Sequence, residues 1–154
     1  EVAMNPVSKI LVPVDFSEYT PEVVAYAADL SRRYEAATEL FYAWEPVAYV
    51  RPEGYIMLSD DEIKRVTKSF QDDLEKLAQT AKAAGAHSVE TRLVQGYPAT
   101  AIVSRAKHEK FGLIVMGTHG RTGLKHLLIG SVAENVVRTA PCPVLTVRAM
   151  ERTE

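Results

Sequence analysis

Two groups of residues in this chain have the types and spacing needed to hold a phosphorylated ligand. The first is Gly117-Thr-His-Gly120-Arg-Thr-Gly123, which follows an apolar run ending in Met116, together with Gly130-Ser131 further on. Glycines at 117, 120 and 123 permit positive φ and a close approach by a ligand, so backbone amides can serve as donors to phosphate oxygens. Gly130-Ser131 opens a helical pattern, where free amides and the helix dipole favour an anion and a hydroxyl adds a hydrogen bond. Arg121, Lys125 and His126 lie between the two halves, where they could neutralise outer phosphates. The second group is Asp15, which closes the apolar run Lys9-Ile-Leu-Val-Pro-Val-Asp15 and suits paired hydroxyls such as those of a ribose. Glycines and basic residues alone would fit any tight strand-to-helix loop, so position decides their meaning.

Other chemistries fit less well. The Walker spacing Gly-x4-Gly-Lys-Ser/Thr and the dinucleotide fingerprint Gly-x-Gly-x-x-Gly are both absent. His87, His108, His119 and His126 form no i, i+4 pair and have no clustered thiols beside them, so no metal site built from protein ligands is expected. Mg²⁺ could still arrive with a nucleotide, because it takes phosphate oxygens, water and few protein groups. No Gly-x-Ser-x-Gly elbow surrounds Ser131, so anion binding suits it better than nucleophilic attack. Asp15, Glu134 and His119 are the candidates to orient a water, and no catalytic residue is assigned.

The elements that must position these groups alternate between strands and helices. Lys9 to Asp15 is a short apolar run suited to a strand covered on both faces. Thr20 offers a cap oxygen, Pro21 suits the first helical position, and a helix runs roughly to Tyr34 with Val23, Ala27, Leu30 and Tyr34 inward. Thr38 to Trp44 reads as a second strand. Glu45 to Leu58 is the longest irregular stretch, either a lid or interface segment or a surface excursion. Ser59 and Glu62 have the spacing of a capping box, followed by Ile63, Val66, Phe70, Leu74, Leu77, Ala81 and Ala84 at helical steps as far as Gly85.

Val89 to Val94 alternates partially, as an edge strand with one wetter face would. A third helix follows Gly96-Tyr-Pro98, with Ala99, Ile102, Val103 and Ala106, and Phe111 to Met116 supplies a fourth strand. Ser131 to Arg138 reads as a short helix with Val132, Val136 and Val137 inward. Val144 to Val147 is a fifth strand. Parallel neighbours need crossovers and helices supply them, so the pattern predicts one doubly wound α/β sheet. In such sheets ligands collect at the carboxyl ends of the strands near the switch point, where Asp15 and Gly117 both fall.

Composition bounds the rest. At 154 residues with 47% hydrophobic content, the chain suits a single domain. Residues 1–7 read as a flexible leader, 8–148 as the domain and 149–154 as a polar tail. A net charge of −2 and no basic stripe argue against a nucleic-acid partner. No secretory signal or membrane-length apolar run is present, which favours a cytoplasmic protein without membrane attachment. The single Cys142 reads as a small, partly buried hydrophobe.

The stretch Leu113 to Arg148, IVMGTHGRTGLKHLLIGSVAENVVRTAPCPVLTVR after its leucine, resembles the C-terminal signature of the universal stress protein family. Gly117, Gly120, Gly130 and Ser131 match Gly-x2-Gly-x9-Gly-Ser/Thr, the motif of the nucleotide-binding branch. Lys9 to Glu18, the Ala27-Ala28 helix and Gly96-Tyr-Pro98 also resemble family landmarks in order, so the similarity spans nearly the whole chain. The resemblance implies an adenine nucleotide alpha hydrolase-like sheet of order 3-2-1-4-5. It also implies a homodimer through the last strand, Val144 to Val147, whose apolar edge would itself invite pairing.

By position, the resemblance places Pro13, Val14 and Asp15 at adenine and ribose, and Ala43 at the base. It places Met116 and Gly117 beside the nucleotide, and Gly120, Gly130, Ser131 and Val132 at the phosphates. The implied ligand is ATP or another adenine nucleotide, which can bring Mg²⁺ with it, in a stress-response regulatory module. A slow ATPase and a dimeric interaction module without nucleotide are the alternatives. The chain departs from the family pattern at Gly112, where an acidic residue is frequent, and at Tyr42-Ala43-Trp44, where Trp44 could crowd the base or stack near it.

Overall fold

The computed structural model describes residues 6–119 and 129–148, with the backbone alone for 48–50. Gly120, Arg121, Gly123, Lys125 and His126 lie outside the described residues. In chain order the elements are β1 (Lys9–Pro13), α1 (Thr20–Tyr34), β2 (Ala37–Trp44), β3 (Val47–Arg51), β4 (Gly54–Met57), α2 (Asp60–Ala83), β5 (Ser88–Gln95), α3 (Pro98–His108), β6 (Leu113–Gly117), α4 (Ser131–Thr139) and β7 (Val144–Val147).

Five strands form a parallel sheet in the order β5-β2-β1-β6-β7. Numbered within the sheet alone, this is the expected 3-2-1-4-5. The two faces of β1 feed separate cores, as the twofold strand period requires. Ile10 and Val12 pack with Val24, Leu74 and Ala78 of α1 and α2. Leu11 packs on the other face with Phe41, Ile102, Ala106 and Val136 under α3 and α4. These side chains are almost wholly removed from water, worth about 1.5–3 kcal/mol for each large one.

One polar link crosses the α3 layer. Glu39 on β2 is buried and accepts two hydrogen bonds from Arg105 of α3. Those hydrogen bonds are the main reason the Arg105 pKa is raised further. Cys142 is half-buried against the same core, and burial pushes its thiol pKa up.

Several local expectations change. The stretch 45–58 is not irregular, because β3 and β4 form an antiparallel hairpin. Aromatic and β-branched residues on both sides of Pro52-Glu-Gly54 supply the strands. Thr20 does not cap α1. Tyr19 holds the cap position, and the Thr20 hydroxyl turns instead to Asp15. Tyr34, Ala84 and Val137 are exposed rather than inward, Tyr34 being the last residue of α1 and Ala84 the C-cap just past the end of α2.

The capping box at α2 forms as predicted. Ser59 Oγ accepts from the Glu62 amide and Glu62 Oε2 accepts from the Ser59 amide. β5 lies at the sheet edge with alternating exposure, also as predicted. Pro6 and Val7, read as part of a leader, lie against Gly112, where an added Cβ would stand 2.6 Å from the Pro6 carbonyl oxygen.

Candidate functional site

β1 lies between β2 and β6, and its neighbours on the two sides are reached by crossovers in opposite directions, so a crevice opens at the strands' carboxyl ends. A cleft of about 470 Å³ occupies this place, within the size range of small-ligand sites. Pro13, Val14, Asp15, Ala43, Met116, Gly117, Gly130, Ser131 and Val132 all line it. Of the site residues expected from sequence, only Gly120 is not placed, being outside the described residues.

The backbone shows how residues distant in sequence meet here. The Val14 amide donates to the Phe41 carbonyl at 2.9 Å, holding the end of β1 against β2. The Thr118 amide donates to Val147 at 3.1 Å, and the Gly130 amide donates back to the Thr118 carbonyl at 2.6 Å. That last bond ties the start of α4 to the end of β6. Gly130 is the N-cap of α4 and has no side chain to cap the first turn, and Gly130 to Ala133 at the start of this nine-residue helix line the cleft. This is the arrangement in which a helix start accepts an anion.

Gly117 corrects one expectation. It belongs to β6 and is not among the residues with positive φ. A Cβ there would meet Val23 Cγ2 at 3.5 Å and the His119 carbonyl oxygen at 3.6 Å, ordinary contacts. Among the described residues, neither backbone conformation nor packing demands glycine at 117.

Asp15 follows β1 and is fixed by its own turn. Its Oδ1 accepts from the Ser17 amide at 2.9 Å and from Thr20 Oγ1 at 3.2 Å. His119 also lines the cleft, with Nδ1 2.9 Å from Thr118 Oγ1. Glu134 does not line it, and pairs with Arg138 at 2.6 Å on the exposed side of α4. Among the described residues, Asp15 and Glu45 bring negative charge to the cleft and no Lys or Arg lines it. No group of His, Cys, Asp and Glu among them could hold a metal ion by itself.

Sequence reasoning missed much of the wall beyond β2. Tyr42 and Phe70 line the cleft with Trp44. The Phe70 ring stands 4.8 Å from Tyr42 and 5.3 Å from Trp44, both edge-on. Phe70 fits the helical period of α2 and read as ordinary core. Only the passage of α2 past the end of β2 brings it to the cleft. Ile102 was likewise read as core, yet it reaches the opposite wall from α3.

Comparison with known proteins agrees with this architecture. The model of the universal stress protein family matches residues 6–148. Universal stress protein MJ0531 of Methanocaldococcus jannaschii is 35% identical over 146 residues, covering 94% of this chain and 84% of that protein. The structure of universal stress protein UspA from Lactobacillus plantarum superposes with a TM-score of 0.71 at 28% identity, covering 94% of this chain and 99% of that one. A universal stress protein solved in complex with cAMP gives a TM-score of 0.72 at 26% identity, covering 94% and 98%. With its family model matched almost end to end and its fold shared throughout, the chain belongs to the universal stress protein family.

Proposed function

We propose that this chain binds ATP, or a close adenine nucleotide, and acts as a regulatory module whose occupancy changes its contacts during stress. One observation carries the reading: Asp15, Gly117 and the glycine-led start of α4 face a single cleft at the switch point of the sheet. A carboxylate suits ribose hydroxyls, and the helix start suits phosphates. The base would lie toward Ala43 and Met116, and Gly120 would join Gly130, Ser131 and Val132 at the phosphates. That a universal stress protein of the same fold was solved with cAMP supports an adenine nucleotide as the ligand class. Mg²⁺ would be held by the phosphates and water, as it takes few protein groups.

The test is to denature the purified protein, identify any nucleotide released, and titrate the stripped protein with ATP with and without Mg²⁺. Gly117→Ala should fold normally, given the contacts its Cβ would make, yet bind at least about tenfold more weakly, since a methyl would intrude on the ligand. Finding neither carried-over nucleotide nor ATP binding would sink the proposal. Product formation followed over many hours tests for slow hydrolysis, and turnover that survives both Gly117→Ala and Ser131→Ala would belong to a contaminant.

The module would work as a homodimer paired through β7. This strand is the sheet's edge, and Leu145 on it is exposed. Sedimentation of Thr146→Pro, which removes one edge donor, should show monomer if β7 forms the interface.

A further inference from the structure

We propose that Thr20 is a positioning residue, which fixes the Asp15 carboxylate so that it can discriminate ribose from deoxyribose. The inference rests on the adenine-nucleotide reading of the cleft and adds to it a residue that makes the sugar contact selective. Thr20 is only 4% exposed, and its hydroxyl does not cap α1. It donates instead to Asp15 Oδ1, the oxygen that also accepts from the Ser17 amide. With two donors converging on one oxygen, the carboxylate cannot rotate without breaking both bonds.

The Ser17 amide reaches that oxygen because Phe16 adopts φ 56°, a conformation uncommon for a bulky residue. Its ring is held 4.7 Å from Tyr42 and stacked 6.1 Å from Phe70. The turn is thus anchored on one side by an aromatic cluster and on the other by a buried hydroxyl. Asp15 and Thr20 both line the cleft, so the fixed carboxylate stands where a ligand would meet it. A carboxylate already ordered loses less freedom on binding than a mobile one, and the gain goes only to ligands that hydrogen-bond to it.

The experiment measures affinities of wild type, Thr20→Val, Thr20→Ser and Asp15→Asn for ATP, 2′-deoxy-ATP and 3′-deoxy-ATP. Wild type should prefer ATP over at least one deoxy analogue by about tenfold, the usual scale of a hydrogen bond to a charged group. Thr20→Val should weaken ATP about fivefold and leave that analogue unchanged, shrinking the preference. Thr20→Ser, which keeps the hydroxyl, should restore it. Asp15→Asn should abolish the preference, and Thr20→Val should add nothing in that background.

If Thr20→Val weakens all three ligands equally, or leaves the ratio intact, the hydroxyl is only structural and the proposal is overturned. A wild type that binds ATP without any ribose preference overturns it too, while nucleotide binding stands. A wild type that binds none of the three overturns the underlying reading itself, before any variant is compared. Should Thr20→Val fail to fold by circular dichroism, Thr20→Ala carries the same comparison.

Discussion

Arg105 grips Glu39 with both ends of its guanidinium fork, Nε to Oε1 at 2.8 Å and Nη2 to Oε2 at 2.7 Å, tying α3 to β2. The Glu39 side chain is 6% exposed, and its only other cationic neighbour among the described residues, Arg92, stands 3.9 Å away. Removing Arg105 would leave the Glu39 carboxylate nearly buried with only the longer Arg92 contact, whereas Arg105 is more exposed and keeps Glu109 at 3.4 Å. Arg105→Ala should therefore cost about 3 kcal/mol in urea unfolding, whereas the double change Glu39→Leu, Arg105→Met should recover most of that loss. Equal losses in the single and double variants would show that shape, not charge pairing, holds α3 to β2.

Gly112 is explained by contact with the chain's own start. A Cβ would come within 2.6 Å of the Pro6 carbonyl oxygen and 3.2 Å of Val7 Cα, both backbone atoms that cannot turn aside. Gly112→Ala should destabilise by about 1–3 kcal/mol in the full chain. In a chain lacking residues 1–7 the same change should cost much less. A similar cost in both would place the penalty elsewhere.

Trp44 is the chain's single tryptophan, lines the cleft, and packs edge-on against Phe70. Its emission should shift when ATP binds and stay constant with phosphate alone, because only a base would reach that wall. Trp44→Phe should lose the signal and keep affinity within about threefold, as a ring of related shape is preserved. A signal from phosphate alone would contradict this placement of the base.

The start of α2 should be sensitive to acid. Hydrogen bonds from the Ser59 amide and hydroxyl hold the Glu62 carboxyl below its ordinary pKa. A carboxyl depressed in the folded state contributes stability above its unfolded pKa, and that stability is lost as pH falls through the folded value. Thermal melts should show Glu62→Gln less stable than wild type at pH 7, with the gap closing as pH drops below the ordinary carboxylate range. Ser59→Ala, which removes the cap itself, should cost about 1 kcal/mol at neutral pH. A gap that persists in acid would mean that the charge of Glu62 contributes nothing.

The parts of the fold that could be read in advance were those set by local periodicity. The uninterrupted apolar run of β1 and the alternation of β5 told apart a buried strand and an edge strand. Ser59 and Glu62 marked the start of α2, because a capping box is complete within one turn. The hairpin at 47–57 was missed, since its two short strands surround Pro52 and Gly54, which read as loop. Thr20 was misread as a cap for a related reason. Its type suits a helix start, but its hydroxyl had a better acceptor in Asp15, and sequence does not say which of two nearby partners a side chain takes.

For the cleft, the sequence by itself determined which strand ends carry Asp15 and Gly117 and which helix opens at Ser131, because motif spacing and strand punctuation are written along the chain. Only the tertiary structure decided that Phe70, Tyr42 and Ile102 close its walls, and that the Thr20 hydroxyl locks the Asp15 carboxylate. For Phe70 and Ile102 the physical reason is that their place at the cleft depends on how far each helix travels past the sheet before it ends. That distance is set by the packing of both cores at once, and no local window of residues contains it.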